Sequence, residues 1–470
     1  MTLLTRTKDG TLQVSDGEKY PRIRDFGTAH TPQPQIAVLG QSPFTTILTN
    51  AGGGQTRFGA LAVTRWRSDP TLDDSGQWCY VKDLTTNAMW SAGFQPTCVD
   101  PLWYRVRFED DCVSFHRKDG DIETLMEIVV ASDEAIEIRK ITLGNTSSSA
   151  HEIELTTCSE VVIAPFNADR GHPAFSNLFV QTEWVEECRA LLAMRRPRSA
   201  ENSPVWCGHV LCASDEIARR TSCETDRAMF IGRGQSYRAP RAMSGNGELS
   251  GRTGAVLDPV FALRARLRVA AGESVSVSFA TFMADDRDDA LMLAKLCRDQ
   301  SATAALFAKA RSKSNEPAGQ LYLQLANELL FPSSLRSGEA VGGKNELADL
   351  GISGALPIMV ATIGTQSGLP SALELVRVHD YWRSKGIRCD LAIIGSGSFD
   401  ELTTAVDASN NGQLALHDDR VFDHPGSVFL YQKGSLNAKH FAALGSNARV
   451  EIDCDKFDVG TYLAAQKAEQ

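Results

Sequence analysis

The chain has 470 residues, 43% of them hydrophobic and 23% charged, with a formal net charge of −10. That is ordinary globular usage, enough for two or three domains with sizeable cores, and the acidic balance argues against nucleic acid or an anionic lipid surface as the main partner. No run approaches the roughly eighteen apolar residues of a membrane span, and the opening MTLLTRTKDG turns polar too soon for a signal peptide. No membrane insertion and a cytoplasmic, reducing location are therefore expected, any membrane association coming through a partner.

Residues 1–19 read as an N-terminal tail. From about 20 to 284 the pattern is mainly β. Short runs alternate apolar and polar residues, as in FTTILTN (44–50), RFGALAVTRW (57–66), QWCYVKD (77–83), DIETLMEIVV (121–130) and HEIELTTCSEVVI (151–163). Turn residues separate them, as in SDPTLDDSG and KDGD. Many regularly spaced strands over such a length predict a large antiparallel sandwich. Within it, EIRKITLGNTSSSAHEIELTT and RARLRVAAGESVSVSFATF read as two hairpins.

At Asp285 the period changes. DDRDDALMLAKLCRDQSATAALFAKARSKS spaces its apolar residues helically and opens with acids, which suits a helix N-terminus. EPAGQLYLQLANELLF is a second helix, stopped by Pro332, and a Gly/Ser/Lys-rich loop follows. Residues 285–345 are expected as a helical linker. From 346 to 470 strands and helices alternate: LPIMVATI, LPSALELVRVHDYWRSKG, RCDLAIIG, SFDELTTAVDASNN, SVFLYQ, LNAKHFAALGSN and ARVEID. That order predicts a small parallel sheet with right-handed crossovers. The fold class is thus multidomain, mainly β plus α/β.

The eleven cysteines include no C-x-x-C spacing, and the nearest pair, Cys207 and Cys212, flanks His209. Structural zinc uses tighter pairs repeated downstream. No metal or other cofactor is expected, and the cysteines read as buried, reduced thiols.

The densest chemistry lies in NAGGGQTRFGALAVTRWRSDPTLDDSGQWCYVKD, residues 50–83. A phosphate loop would set its glycines between a strand and a helix, with Lys-Ser/Thr after them. Here a strand follows Gly52–Gly54, so the glycines read as a turn or bulge needing φ > 0. Arg65, Trp66, Asp73, Trp78, Tyr80 and Trp90 are candidate carbohydrate-binding residues, because aromatic faces stack on sugar C–H surfaces while carboxylates and guanidiniums bond hydroxyls. The plainer reading makes the tryptophans core and the charges a rim network. Trp78 and Tyr80 are two apart and share a face, so the four aromatics are expected to divide between core and surface, with Trp78 between the sheets. Elsewhere, GSGS (395–398) reads as a plain βα loop, His172 as structural and RRPR (195–198) as a solvated loop. No catalytic residue is assigned.

The stretch TNAGGGQTRFGALAVTRWRSDPTLDDSGQWCYVKDLTTNAMWSAGFQPT resembles the β-supersandwich domain of cyclic β-1,2-glucan synthases, which belong with the inverting glycoside phosphorylases such as cellobiose phosphorylase. The similarity continues in HPAFSNLFVQTEWVEECRALLAMRRPRS, CETDRAMFIGRG, LSGRTGAVLDPVFALRARL, LGISGALPIMVATI and VRVHDYWRSKGIRCDLAII, and so spans most of the chain from about residue 35. Relatives carry an aromatic residue after the triple glycine, where this chain has Gln55, and an acid after GISG, where it has Ala355. The resemblance implies a carbohydrate-associated protein of glucan metabolism, with a β-glucan or oligosaccharide as partner. In the family a catalytic Asp acts from an (α/α)6 barrel that follows the supersandwich. The residues beyond 284 contain only about five predicted helices, interleaved with strands. The expectation is therefore a non-catalytic portion, inactive alone, with a separate barrel polypeptide as a possible partner. Two alternatives stay open: an active phosphorylase or glycosyltransferase with an unrecognised site, and an α/β nucleotide-binding protein.

Overall fold

Alternation becomes pairing most plainly in Ile122–Ala131, where every second side chain is buried along the first half of the strand and each residue has a partner in Ile136–Asn145. The computed structural model describes residues 3–6, 12–15, 23–197, 204–311, 318–332, 344–411 and 426–457. The chain divides into a first unit that runs to Asn315 and a second from Glu316.

The first unit is an antiparallel β-supersandwich. Among the described residues its first sheet has eleven strands. In spatial order they are Leu3–Arg6, Leu12–Ser15, Arg24–Phe26, Trp103–Phe108, Val113–Asp119, Ile122–Ala131, Ile136–Asn145, Ser274–Ala284, Trp206–Cys212, Ala190–Arg195 and Val180–Val185. The second sheet runs Ser222–Asp226, Pro259–Val269, His151–Pro165, Leu61–Thr64, Gly54–Phe58, Phe44–Thr49 and Ile36–Gln41. Gln77–Asp83 also pairs with His151–Pro165, and Met89–Ser91 with Gln77–Asp83. Phe44, Phe108, Phe115, Phe261 and Phe279 fill the space between the sheets.

The two expected hairpins are corners instead. Ile136–Asn145 lies in the first sheet and His151–Pro165 in the second, and Pro259–Val269 and Ser274–Ala284 are divided in the same way. Two strands facing each other across a core alternate just as a hairpin does, so the pattern alone does not separate them. Buried Asn145 ties the two corners: its amide donates to Ser149 O at 2.6 Å, Val269 O at 3.1 Å and Ala270 O at 3.2 Å.

The stretch expected as a linker contributes helices Arg287–Arg298 and Gln300–Ala310 to the first unit, and Gly319–Leu330 and Lys344–Asp349 to the second. Asp286 and Asp299 cap the first two by accepting from backbone N–H groups. Ala290, Ala294 and Cys297 form a small-residue stripe that packs on the outer face of the first sheet against Ile136, Ile138, Val210 and Phe282. The loop 333–343 lies outside the described residues.

In the second unit the parallel sheet has the order Val428–Gln432, Asp390–Gly395, Ile358–Ile363, Ala448–Asp453. Helices Leu369–Ser384, Asp400–Asn411 and Ala438–Asn447 supply the crossovers. Fully buried Trp382 donates its indole N–H to Tyr322 O at 2.8 Å, which fixes Gly319–Leu330 within this unit.

Polar side chains link the sheets of the sandwich through its core. Fully buried Glu137 accepts from Thr46 and Thr56 of the second sheet, both at 2.6 Å, and pairs with Arg139 at 2.5 Å. Arg139 donates to Gln77 O, and the Gln77 amide donates to Thr281 at 2.9 Å. His209 lies 2.9 Å from both Thr281 and Thr157, between the rings of Phe261 and Phe279. Burial, with the Arg139 charge nearby, pushes His209 down to about 4 from an ordinary 6.5. Burial alone would raise Glu137, but Arg139 and the two threonine hydroxyls hold it below its usual range.

The sign of the pH dependence follows. Between pH 6.5 and about 4 the unfolded chain binds a proton on His209 that the native chain refuses, so stability falls with pH across that window. Glu137, ionised in the fold, adds to the loss as pH drops below the ordinary carboxylate range. We predict that the thermal midpoint falls from pH 7 to pH 4.5, and that His209→Gln falls by less, the imidazole contributing on the order of 3 kcal/mol of the loss. Equal falls in calorimetric scans of the two proteins would refute the assignment.

Candidate carbohydrate-binding surface

The triple glycine is a hairpin turn between Phe44–Thr49 and Gly54–Phe58. Gly52 sits at φ +96° and Gly54 at φ +146°, where a side chain is strained. All three glycine amides donate within the chain: Gly52 to Thr49 O, Gly53 to Thr49 Oγ1 and Gly54 to Ser75 O. The turn is not a phosphate cradle. Asp73 packs against it so closely that a Cβ on Gly53 would lie 2.4 Å from the Asp73 carboxyl oxygen. Burial raises Asp73 to about 7, with Asp74 and Asp69 adding to the shift and the 2.6 Å hydrogen bond from Thr49 opposing it.

The expected division of the aromatics between core and surface does not occur, since Trp66, Trp78, Tyr80 and Trp90 are all buried. They divide between interiors. Trp90 lies between the sheets and donates to Thr124 at 3.3 Å. Trp78 and Tyr80 do share a face, but it is the outer face of the second sheet, away from Cys79 and Val81 of the inner core. The segment from Arg227 to Leu249 covers them with Phe230, Ile231, Tyr237, Met243 and Leu249. The Tyr237 ring lies 4.6 Å from Trp78, and Tyr80 donates to Tyr237 O at 2.7 Å. The cover is anchored by Lys82, which donates to Met243 O and Gly245 O at 2.9 Å, and by Arg264, which donates to Ala242 O and Gly247 O at 2.7 Å.

Arg65 joins a partly buried cluster. It pairs with Glu160, with Asp169 at 3.0 Å and with Asn177 at 2.9 Å, while Arg67 reaches Asp169 at 2.9 Å. Arg227 binds Glu160 at 3.0 Å and Asp258 at 3.3 Å. Burial opposes the Arg65 charge, but Glu160 and Asp169 outweigh it and raise its pKa. This is the rim network of the plainer reading, and it locks helices Phe166–Gly171 and Pro173–Asn177 to the second sheet.

An open cleft of about 500 Å³ lies instead beside strands Arg24–Phe26 and Trp103–Phe108 of the first sheet, walled by residues 25–30, Phe94 and 100–105. It holds Trp103, which is 45% exposed. Trp103 was not singled out from sequence. The signal was WYRVRF, whose alternation sends Tyr104, Val106 and Phe108 into the core and Trp103, Arg105 and Arg107 outward. Trp103 packs edge-on against His116 at 4.6 Å. His30 Nε2 and Asp100 Oδ1 are 3.1 Å apart, and Arg105 binds Asp25 at 2.8 Å. Burial alone would raise Asp25, but Arg107 and Arg105 hold it below the usual carboxylate range.

In the second unit, the strand order reverses between Ile358–Ile363 and Ala448–Asp453, the place where open α/β sheets bind ligands. There Asp455 accepts from Gly364 N at 2.7 Å, Thr365 N at 3.1 Å and the Thr365 hydroxyl at 2.5 Å. The chain's own carboxylate occupies the amides that would face an anion. Among the described residues no group of three or more His, Cys, Asp or Glu could hold a metal, and no helix is long and apolar enough to cross a membrane.

Two large antiparallel sheets packed face to face, with helices on one outer face and a covering segment on the other, define the class as a β-supersandwich. The chain belongs to the Glycosyl hydrolase 94 supersandwich-domain family, which it matches over residues 19–300. It is 30% identical over 391 residues to the cyclic β-(1,2)-glucan synthase NdvB of Rhizobium meliloti (strain 1021), covering 80% of this chain and 14% of that protein. It is 24% identical over 150 residues to the N,N'-diacetylchitobiose phosphorylase of Vibrio proteolyticus, covering 31% of this chain and 19% of that protein. The chain thus spans less than a fifth of the length of these relatives. Among solved structures, a bacterial glucoamylase complexed with acarbose matches 66% of this chain and 44% of its own at 9% identity, with a TM-score of 0.36.

Trp78→Ala should lower the thermal midpoint, at a cost of about 3–5 kcal/mol for a large buried aromatic. An unchanged midpoint would mean that the segment from Arg227 to Leu249 does not cover it in solution.

Proposed function

We propose that the chain is a carbohydrate-associated, non-catalytic portion of a cyclic β-1,2-glucan synthase-like or glycoside phosphorylase-like protein. One observation carries this reading. Beyond the sandwich the described residues build a four-stranded parallel α/β unit, where the family resemblance calls for an (α/α)6 barrel bearing the catalytic acid. Inverting glycoside cleavage needs an acid on the leaving-group side and a separate place for the attacking phosphate or water. In this reading both belong to another segment or polypeptide, and the sandwich supplies architecture and glucan contact. The family match over 19–300 supports the carbohydrate part of the reading. The self-occupied crevice at Asp455 weighs against the nucleotide-binding alternative.

The full chain incubated with sophoro-oligosaccharides and inorganic phosphate should release no glucose 1-phosphate above blank and leave the oligosaccharide lengths unchanged. Release of glucose 1-phosphate, or of shortened or cyclised glucan, would overturn the non-catalytic reading and favour an active enzyme of the same family.

A further inference from the structure

We propose that the cleft beside Trp103 is a binding subsite for an uncharged gluco-oligosaccharide. This rests on the carbohydrate-associated reading and gives it a location. Three features point to that ligand class. The first is an exposed indole held in place. Trp103 lines the cleft, is 45% exposed and makes a T-shaped ring contact with His116 that restricts its side chain. An amphipathic aromatic of this kind suits the apolar C–H face of a pyranose ring.

The second is the charge of the wall. Arg105 is already matched by Asp25 at 2.8 Å, and Asp100 Oδ1 lies 3.1 Å from His30 Nε2. Arg105 offers donors and Asp100 acceptors, and a wall that carries both an Arg105–Asp25 ion pair and the Asp100 carboxylate gives little reason to prefer an anion. A ring of hydroxyls matches that pattern, and about 500 Å³ lies within the range of small-molecule sites.

The third is that both walls are built in advance on the glycine turn. The Asn50 side chain donates to Thr28 O at 3.3 Å and to Thr31 Oγ1 at 3.1 Å, which sets the wall carrying His30. Asn50 O accepts from Tyr104 at 2.8 Å, and Ala51 O from the amides of Phe94 and Gln95, which sets the wall carrying Asp100 and Trp103. Gly52 and Gly93 let the two turns touch, a Cβ on Gly93 falling 3.3 Å from Gly52 Cα. Fully buried Arg117 closes the arrangement by donating to Gly93 O at 2.5 Å and Val99 O at 2.9 Å. A site preformed in this way loses little entropy on binding.

The test is titration calorimetry of the full chain with sophoro-oligosaccharides, alongside cello-oligosaccharides for linkage preference. Wild type should bind. Trp103→Ala should weaken binding about tenfold, the equivalent of about 1.4 kcal/mol. Trp103→Phe should retain most of the affinity, and Asp100→Ala should weaken it severalfold. Thermal midpoints should be unchanged, because both substituted side chains are exposed. If Trp103→Ala binds as well as wild type, the cleft is not the subsite, although glucan association stands. If wild type binds neither oligosaccharide, the cleft and the glucan-contact part of the proposed function fall together.

Discussion

The Glu137–Arg139 ion pair is the constraint around which the sandwich is organised. Both side chains point into the inter-sheet core beside Ile141 and Leu143, while Ile136 and Ile138 point out beneath the helices. A one-residue slip of that strand would exchange the sets, placing two charges under Ala290 and Ala294 and isoleucines against Thr46 and Thr56. A buried ion pair adds little net stability against an apolar replacement, yet removing one partner costs about 3–5 kcal/mol. Its effect here is to fix register. The pair locks strand Ile136–Asn145 to two strands of the opposite sheet, and Gln77, Thr281, His209 and Thr157 extend the link across the core.

Much of the architecture was legible in the sequence because it rests on period. Two-residue alternation identifies the sandwich strands, and the change of period at Asp285 marks the first helices. The alternating elements after residue 346 yield the parallel sheet. Pairing was less legible. ITLGNTSSSAHEI and VAAGESVSV look like hairpins because alternation records which face is buried and not which neighbour is bonded. The deciding group is Asn145, one polar side chain whose partners at Ser149, Val269 and Ala270 join two corners far apart in sequence.

The candidate site shows the same limit. That Trp78 and Tyr80 share a face follows from strand geometry, but what lies over that face does not. Tyr237 and Phe230 arrive from a segment some 150 residues later, and nothing in QWCYVKD announces them. Arg65 and Asp73 likewise find their partners within the protein: Arg65 in Glu160 and Asp169, Asp73 in Thr49. Trp103 was legible in principle, since WYRVRF assigns it to the face that carries Arg105 and Arg107. Density of aromatic and charged residues drew the sequence reading elsewhere, although density by itself says nothing about exposure.

Cover explains where an exposed aromatic can survive in such a fold. Each sheet has two faces, and the inner pair is consumed by the common core. The outer face of the first sheet is covered by Arg287–Arg298 and Gln300–Ala310 at the strands near Ile136 and Val210. The outer face of the second is covered by the segment from Arg227 to Leu249 at Trp78 and Tyr80. Strand Trp103–Phe108 stands further along the first sheet, two strands beyond Ile122–Ala131, on which Gln300–Ala310 packs. A single aromatic left partly in water is tolerated by such a fold, and what distinguishes Trp103 is the cleft it lines. The glycine turn at 52–54 sets that cleft, because a backbone that glycine adopts without strain lets the adjoining Asn50 and Ala51 bond to both walls. The glycine-rich stretch and the exposed tryptophan, distant in sequence and different in chemistry, are thus two parts of one piece of architecture.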